Sequence, residues 1–276
     1  MQSTDVQIRE YREEGYLFLP ELFSAEEVAR MRAELPAVFA EDSPGRVMEE
    51  GSGIVRSVYG THARHPLFGA LAADARLVEL ARGALESEVY VHQFKINAKQ
   101  AFGGEVWEWH QDYIYWRNED GMPANRVINV MVFLDEVNEF NGPLLIIPRS
   151  HRHGVLATDD RELEADPEGP SWASNVAARL TYTISRQDLA RLVEENGIVG
   201  PKGPAGSVLL FDPNVVHGSS PNMSPFDRAV AIVTYNSVLN VPRPVGTPRP
   251  EFLASRDHTP IVPVENAILA AELAHT

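Results

Sequence analysis

The chain has 276 residues, a formal net charge of −15 at pH 7 and no cysteine. This length suits one barrel with added helices and is enough to bury a large core. The acidic balance argues against nucleic acid and anionic membranes as partners, because both attract clustered lysine and arginine. The lack of cysteine excludes disulfides and thiolate metal sites. From the polar first residues and the absence of a long apolar run, we expect a cytoplasmic protein without a signal peptide or membrane span.

The N-terminal third is predicted to be helical. Ser24 precedes the segment AEEVARMRAEL, and Glu27 follows three residues later, which is the spacing of a capping box. Apolar residues then recur at helical spacing. The same spacing predicts a second helix around Leu67 to Leu85.

Strands dominate the prediction after this point. The segment Val89 to Lys99 alternates, with Gln93, Lys95 and Asn97 on one face. A strand face of this kind is either solvated or lines a polar pocket, and the sequence leaves both interpretations open. Further apolar strands are predicted at Arg126 to Val137, Gly142 to Pro148, Gly206 to Phe211 and Arg228 to Asn236.

The other segments predict loops and short helices around a β core. Residues 156–182 are polar and acidic, which is typical of a lid-like insertion or a disordered loop. Helices are expected from Ser185 to Asn196 and from Val264 to Ala274. Many short strands joined by turns favour a double-stranded β-helix, the jelly-roll or cupin-like fold. We therefore expect a mostly β protein with flanking helices, in one domain over residues 1–276.

The tripeptide His110-Gln111-Asp112 is a candidate metal motif. In an extended segment, residues two apart project to the same side, so His110 and Asp112 can reach one ion. The third ligand must come from another strand, and His217 is the best candidate because it follows a strand and a turn. Two imidazoles and one carboxylate suit Fe(II) and leave positions open for a cosubstrate and O2. The alternatives are ordinary histidines, or one of the rival third ligands His62, His151 and His153.

Arg228 strengthens the choice of His217. It lies eleven residues later and begins the apolar segment RAVAIVTYN. An arginine that points into a barrel is costly unless it is paired, and its planar guanidinium binds a carboxylate with two hydrogen bonds. The distal carboxylate of 2-oxoglutarate is such a partner, and Ser219 would add a hydroxyl. The alternative is a surface ion pair with Asp227 or a glutamate.

Several motifs, in order, resemble one enzyme family. The chain resembles the phytanoyl-CoA dioxygenase family of Fe(II)/2-oxoglutarate enzymes in three motifs: HQD, HGSSPNMSPFDRAV and the opening EYREEGYLFLPELFSAEEVARMRAEL. The resemblance extends from about Tyr11 to Asn236. Within this family, the stretches HQFKIN, WHQDYIYWR and EFNGP are more similar to the leucine hydroxylase of griselimycin biosynthesis than to the ectoine hydroxylases.

The resemblance implies roles for individual residues. His110, Asp112 and His217 are implied as iron ligands, and Arg228 with Ser219 as the site for the distal carboxylate of 2-oxoglutarate. Further positions implied near the cosubstrate are Gln93, Asn97 and Asn129. Trp116 matches a tryptophan that lines the substrate site, although a core aromatic is the alternative. The candidates to bind a substrate carboxylate are Arg56, Tyr59 and Arg117. The alternative for each of them is an ordinary surface or packing residue.

We therefore expect an Fe(II)/2-oxoglutarate-dependent hydroxylase that uses O2 and releases succinate and CO2. The expected substrate is a free L-amino acid, aliphatic and leucine-like, because no extended basic surface suits coenzyme A. Asp112 favours hydroxylation, since related halogenases lack this carboxylate. The alternatives are an ectoine or other compatible-solute hydroxylase and a non-catalytic metal-binding jelly roll. The protein is expected to be a monomer or a homodimer.

Overall fold

The structure is a computed structural model that describes residues 5–160, 172, 176, 180–243 and 246–272. The helices are α1 (Asp5–Glu14), α2 (Ala25–Ala40), α3 (Pro66–Ala73), α4 (Ala75–Leu85), α5 (Tyr113–Glu119), α6 (Arg186–Asn196) and α7 (Ala267–Ala270). The strands are β1 (Tyr16–Leu19), β2 (Arg46–Met48), β3 (Val55–Tyr59), β4 (Val89–Lys99), β5 (Trp107–His110), β6 (Val127–Phe133), β7 (Leu144–Ile146), β8 (Thr158–Asp160), β9 (Tyr182–Ile184), β10 (Val208–Phe211), β11 (His217–Ser219) and β12 (Arg228–Ser237).

Two antiparallel sheets build the body of the protein. The large sheet has seven strands in the order β1-β10-β6-β12-β4-β3-β2, and the small sheet has the order β5-β11-β7. Strands β8 and β9 form a separate pair. Most neighbouring strands in the large sheet are distant in sequence, so its hydrogen bonds join the N-terminal half of the chain to the C-terminal half.

The two faces of the large sheet have different partners. Alternate residues of β4, β6, β10 and β12 pack against α2, α3 and α4 in the main hydrophobic core. The opposite face packs against the small sheet through a second cluster that includes Met131, Phe211, Ile232 and, from β7, Ile146. The architecture is therefore mostly β, with helices on one side of the large sheet and a pocket between the two sheets.

A β-bulge in β4 sets which side chains face that pocket. In the pairing with β12, Thr234 lies opposite Gln93 but Tyr235 lies opposite Val91, so His92 is the extra residue. The bulge keeps both Val91 and Phe94 on the helix side. Beyond the bulge, the alternation places Gln93, Lys95 and Asn97 on the pocket side. Of the two interpretations of this polar strand face, a solvated face or the lining of a polar pocket, the second is confirmed.

Several predicted elements differ from the observed ones. The helix expected over residues 67–85 is two helices, because Asp74 adopts an extended conformation and caps α4 by accepting from the Arg76 backbone N–H. The N-terminal third is not all helical, since β1, β2 and β3 also lie there. The C-terminal helix is shorter than expected in the described residues, where it covers Ala267–Ala270. Most of the lid-like insertion, residues 161–171, 173–175 and 177–179, lies outside the described residues.

Other predictions are confirmed. Strand β4 spans Val89–Lys99 as expected, and Ser185 caps α6. Ser24 and Glu27 form the capping box of α2 with both hydrogen bonds present. Among the helices that the structure describes, none has the length and apolar character needed to cross a membrane.

Candidate metal centre

Three potential metal ligands meet where β5 ends and β11 begins. His110 is the last residue of β5, and His217 is the first residue of β11 and lies directly opposite it. Asp112 follows in the turn that starts α5. One ligand atom from each of His110, Asp112 and His217 lies within 4.8 Å of the others, and all three side chains are buried. No other such group occurs in the part of the chain that the structure describes.

Both imidazoles are oriented by the backbone carbonyl two residues earlier in the chain. The Nδ1 atom of His110 lies 2.6 Å from the carbonyl oxygen of Glu108, and that of His217 lies 2.9 Å from the carbonyl oxygen of Val215. A carbonyl only accepts, so both Nδ1 atoms must donate. In a neutral imidazole this arrangement leaves the lone pair on Nε2, and the two Nε2 atoms lie 3.4 and 3.8 Å from the carboxylate oxygens of Asp112. Such outer hydrogen bonds fix the tautomer of metal-binding histidines.

The Asp112 carboxylate is held from the large sheet. Asn129 on β6 donates from Nδ2 to Oδ2 of Asp112 at 2.7 Å. Thr234 on β12 in turn donates to Oδ1 of Asn129 at 2.7 Å. Gln111, between the two ligands, points away from them and donates to the carbonyls of Gly154 and Asn214. The ligand-bearing turn is therefore fixed on both sides.

Electrostatics favour a carboxylate with neutral imidazole at this centre. Burial by itself raises the pKa of Asp112, but Lys95 and the two histidines outweigh it and hold that pKa well below its usual range. Burial, assisted by His110, lowers the pKa of His217 to about 4. Near pH 7, Asp112 is therefore ionised and His217 is neutral, which are the protonation states that bind metal.

A pocket surrounds the three side chains. Its walls come from both sheets, from α5 and from the C-terminal segment. Besides the three ligands, it is lined by Tyr59, Gln93, Lys95, Asn97, Trp107, Tyr115, Trp116, Met131, Leu144, Val176, Leu180, Phe211, Ser219, Arg228, Ile232 and Arg249.

Arg228 marks one end of the pocket. Its side chain is 5% exposed and donates to the carbonyl of Gly142 and, at 3.4 Å, to the Ser219 hydroxyl. No carboxylate forms an ion pair with it in the described part of the chain; Asp135, the acidic group that acts on it through space, pairs with Arg32. Burial lowers the pKa of Arg228 to about 10, so the guanidinium stays charged at neutral pH.

Lys99 lies buried behind this end. It donates to the carbonyls of Glu105 and Ser220 at 2.7 and 2.6 Å. Burial, reinforced by Arg228 and Arg56, lowers its pKa to about 6. Most Lys99 side chains are therefore neutral at pH 7, and Arg228 is the charged group at this end.

Arg249 marks another part of the wall, near Trp116. Its Nε and Nη2 atoms donate to the two carboxylate oxygens of Asp120 at 2.8 and 2.6 Å. His92, fully buried, lies with Nε2 3.4 Å from Asp120 and packs edge-on against Trp116. The C-terminal segment that carries Arg249 also covers the pocket, because the carbonyl of Leu253 accepts from Gln93 Nε2 at 2.8 Å.

The structure brings most predicted site residues to the pocket. The predicted residues that line it are His110, Asp112, His217, Ser219, Arg228, Gln93, Asn97, Tyr59 and Trp116. Asn129 lies beneath it, on Asp112, rather than in its wall. The rival histidines lie elsewhere: His62 stacks on Phe94, His151 contacts the carbonyl of Arg12, and His153 approaches Glu195.

Two predicted residues are not brought to the pocket. Arg56 is fully buried behind Trp107, with its Nη1 3.0 Å from Glu49 and its guanidinium stacked on the Trp107 ring at 3.7 Å. Arg117 is exposed on α5. Both have physical reasons: Arg56 already has a buried carboxylate partner, and the turn of α5 that points Trp116 inward points the next residue outward.

Sequence reasoning did not identify several wall residues. Lys95 could have been found, because it lies between Gln93 and Asn97 on the polar face of the predicted strand. Tyr115, two positions before Arg117, had no distinguishing signal. Arg249 had none either, since its partner Asp120 is distant in the sequence.

Comparisons with known proteins agree with this geometry. Residues 11–230 match the family model described as phytanoyl-CoA dioxygenase. The chain is 40% identical over 262 residues to L-proline trans-4-hydroxylase of Streptomyces griseoviridis, covering 95% of this chain and 96% of that protein. It is 38% identical over 263 residues to ectoine dioxygenase of Sphingopyxis alaskensis, covering 93% and 84%.

Solved structures share the fold. EctD from S. alaskensis with 2-oxoglutarate and 5-hydroxyectoine superposes with a TM-score of 0.82 at 35% identity, over 96% of this chain and 89% of that one. The same protein with bound Fe gives 0.80 at 37% identity, over 95% and 87%. The epimerase SnoN, at 17% identity over 88% and 87%, has the same fold with a TM-score of 0.67. The chain therefore belongs to the phytanoyl-CoA dioxygenase family, and it is an Fe(II)- and 2-oxoglutarate-dependent dioxygenase.

Proposed function

We propose that this protein hydroxylates a small free amino acid, using iron held by His110, Asp112 and His217. The observation that carries the proposal is the arrangement of the pocket. The three ligands lie in its wall together with two arginines, the buried Arg228 and the half-buried Arg249. In this proposal the chain is one domain, and its two sheets form a double-stranded β-helix.

The donor set fits Fe(II). Two neutral imidazoles and one carboxylate are the ligands of non-haem iron oxygenases, and three ligands leave the other positions open. Asp112 is ionised and His217 is neutral near pH 7, so neither of these two ligands has to lose a proton before the metal binds. With 2-oxoglutarate and O2, the iron supplies the oxidant that converts C–H to C–OH, with release of succinate and CO2.

Arg228 fits the distal carboxylate of 2-oxoglutarate. A buried guanidinium without a carboxylate partner is costly, so an anionic ligand would relieve its desolvation. A carboxylate there would accept two charge-assisted hydrogen bonds from the guanidinium. The Ser219 hydroxyl, which donates to the Gly142 carbonyl at 2.9 Å in this structure, would add a third by turning toward the ligand. Asn97, whose amide oxygen has no partner among the described residues, lies in the same wall and completes the polar surface at the cosubstrate.

Arg249 fits the carboxylate of the amino-acid substrate. Asp120 holds its Nε and Nη2 atoms, so Nη1 is left to donate toward the pocket. The same pocket offers an apolar surface suited to the aliphatic part of such a substrate, formed by Tyr59, Trp116, Val176 and Leu180. Proline, leucine and ectoine all carry a carboxylate, so Arg249 would select for small carboxylic acids as a class. The apolar wall would then select the individual substrate within that class.

A second candidate is ectoine hydroxylation. It is favoured by the 38% identity to an ectoine dioxygenase and by the likeness to EctD with 5-hydroxyectoine. The 40% identity to L-proline trans-4-hydroxylase favours an amino acid. The leucine-like substrate expected from the sequence enters the same experiment.

The test is a substrate screen with purified protein, Fe(II), ascorbate and 2-oxoglutarate. Each of the twenty L-amino acids and ectoine is assayed for substrate-dependent succinate and for a product heavier by one oxygen. We expect an aliphatic or cyclic amino acid to give both. A response to ectoine alone would establish the second candidate, and no response at all would favour a non-catalytic binding protein.

Two matched variants separate the proposed carboxylate sites. Arg249→Gln should raise KM for the amino acid by about tenfold or more and leave KM for 2-oxoglutarate nearly unchanged, because one charge-assisted contact is lost. Arg228→Gln should do the reverse. If both variants change the same KM, the assignment of the two ends is wrong.

A further inference from the structure

We propose that Asn129 and Thr234 are a positioning pair that holds the Asp112 carboxylate so that one oxygen remains for the metal. This inference rests on the proposed function, since it concerns the iron that this function requires. It differs from the role expected from the sequence, which placed Asn129 near the cosubstrate.

The direction of each hydrogen bond follows from chemistry. An ionised carboxylate only accepts, so the Asn129 amide must present Nδ2 to Oδ2 of Asp112. Oδ1 of Asn129 then faces Thr234, whose hydroxyl must donate. If Thr234 could not donate, the amide would lose the contact that keeps it in this orientation.

The backbone fixes the pair. Asn129 and Thr234 lie directly opposite each other on β6 and β12, and both are 0% exposed. Asn129 is the one polar residue of the strand sequence VINVMVF. The adjacent cross-strand pairs on β6 and β12, Val130 with Val233 and Ile128 with Tyr235, contribute to the hydrophobic core instead.

A fold requirement alone does not explain this pair. Two buried polar partners can be replaced together by apolar groups of the same shape at little cost, so the sheet would accept an apolar pair here. What the two side chains add is a donor aimed at Asp112. The Asn129 amide, oriented by Thr234, occupies a lone pair of Oδ2 and fixes the plane of the carboxylate. Oδ1 lies 3.4 Å from His110 Nε2, and Oδ2 lies 3.8 Å from His217 Nε2.

The mode of Asp112 binding matters for the proposed chemistry. A carboxylate that chelates with both oxygens takes one more coordination position than a carboxylate that binds through one. The proposed reaction needs three open positions, two for the 2-oxo acid and one for O2. By holding Oδ2, Asn129 and Thr234 keep the third position available.

The test compares three variants in Co(II) titrations of the metal-free protein. Thr234→Val keeps the shape but removes the donor, Asn129→Leu removes the amide, and Thr234→Ser keeps the donor as a matched control. Affinity is measured together with the visible absorption of bound Co(II), whose intensity and position report the coordination number. Circular dichroism and thermal unfolding establish that each variant is folded.

We expect Co(II) to bind Thr234→Val and Asn129→Leu about 10-fold to 100-fold more weakly than the wild type, with a changed absorption band. Thr234→Ser should retain both. The ratio of hydroxylated product to succinate should fall in the first two variants and not in the third. If Asn129→Leu does not fold, Thr234→Val decides the question.

Wild-type affinity and absorption in Thr234→Val would overturn the proposal, because a purely structural role changes stability and not the metal spectrum. Co(II) binding needs no substrate, so the two proposals fail separately. A wild type that shows the expected Co(II) behaviour but no succinate with any amino acid or ectoine would refute only the proposed reaction.

Discussion

At the residue scale, three arginines in or beside the pocket differ in the partners of their charge. Arg56 is neutralised by Glu49 and covered by Trp107, so it serves the packing. Arg249 lines the pocket and forms a two-bond ion pair with Asp120. Arg228 has carbonyl and hydroxyl partners and no carboxylate partner within the described residues. The residue type is the same in all three, and the partners of each side chain are what distinguish them.

His62 allows a prediction about pH at the same scale. Burial and nearby Arg64 lower its pKa to about 4, while the unfolded chain has the ordinary value near 6.5. Between these values the unfolded state binds more protons, so the free energy of unfolding must fall as the pH decreases from about 6.5 to 4. We expect His62 to account for a loss of about 2–3 kcal/mol over this window.

The measurement is denaturant unfolding of the metal-free protein between pH 4 and pH 7. The variant His62→Gln cannot take up this proton, so its unfolding free energy should depend less steeply on pH. Other titrating groups contribute equally to both proteins and cancel in the difference. Parallel pH curves for the two proteins would show that His62 is protonated in the folded state as easily as in the unfolded state.

At the element scale, short-range patterns predicted the elements well, and local side-chain chemistry set their ends. The capping box at Ser24 and the cap at Ser185 are readable from three or four residues. The break between α3 and α4 is also local, but Asp74 lies inside an apolar helical pattern that hides it. The bulge at His92 is different: it depends on how β4 pairs with β12, and alternation within β4 does not reveal it.

Asp74 should therefore be important for stability and unimportant for catalysis. It is 1% exposed and caps α4. Its carboxylate accepts hydrogen bonds from both the backbone N–H and the guanidinium of Arg76. Asp74→Ala removes the cap and part of a buried ion pair, and we expect it to lower the free energy of unfolding by about 2–4 kcal/mol.

Ser24→Ala is the matched control, because it removes a cap from α2 without breaking an ion pair. It should cost about 1 kcal/mol. Both values are measured from denaturant midpoints with an unchanged slope. Kinetic constants should remain at the wild-type values in both variants; a changed KM would mean that the helix layer affects the pocket.

At the scale of the whole molecule, the metal centre joins parts of the chain that the fold alone brings together. His110 and His217 come from the small sheet, and the large sheet holds Asp112 through Asn129. A metal bound there links the ligand-bearing turn to β11 and, through Asn129, to the large sheet. Binding should therefore stabilise the whole folded state and not a single loop.

This linkage predicts a rise in Tm on metal binding. At a free concentration one hundred times its Kd, a metal that binds only the folded state adds about 2.7 kcal/mol, and for a protein of this size that raises Tm by roughly 5–10 °C. Calorimetry with Co(II), reversed by a chelator, measures it. Mg(II) and the variant Asp112→Ala are the controls, and an equal rise in that variant would place the binding elsewhere.

The sequence by itself determined many of the elements and the types of chemistry, although it missed β1, β2 and β3. Alternation and helical spacing depend on neighbouring residues, so β4, α2 and α6 could be predicted from them. The chemical nature of the site could be predicted as well, because two imidazoles and one carboxylate are ligands typical of Fe(II). The extended segment expected from His110 to Asp112 was wrong, since β5 ends at His110 and Asp112 has helical backbone angles at the start of α5.

Only the tertiary structure decided the partners. It placed His217, and not another histidine, opposite His110. It paired Arg249 with Asp120 and Arg56 with Glu49, and it placed the Asn129 amide on the carboxylate of Asp112. These choices depend on strand pairing and burial between distant segments. Local periodicity carries no information about either, which is the physical reason why the sequence left them open.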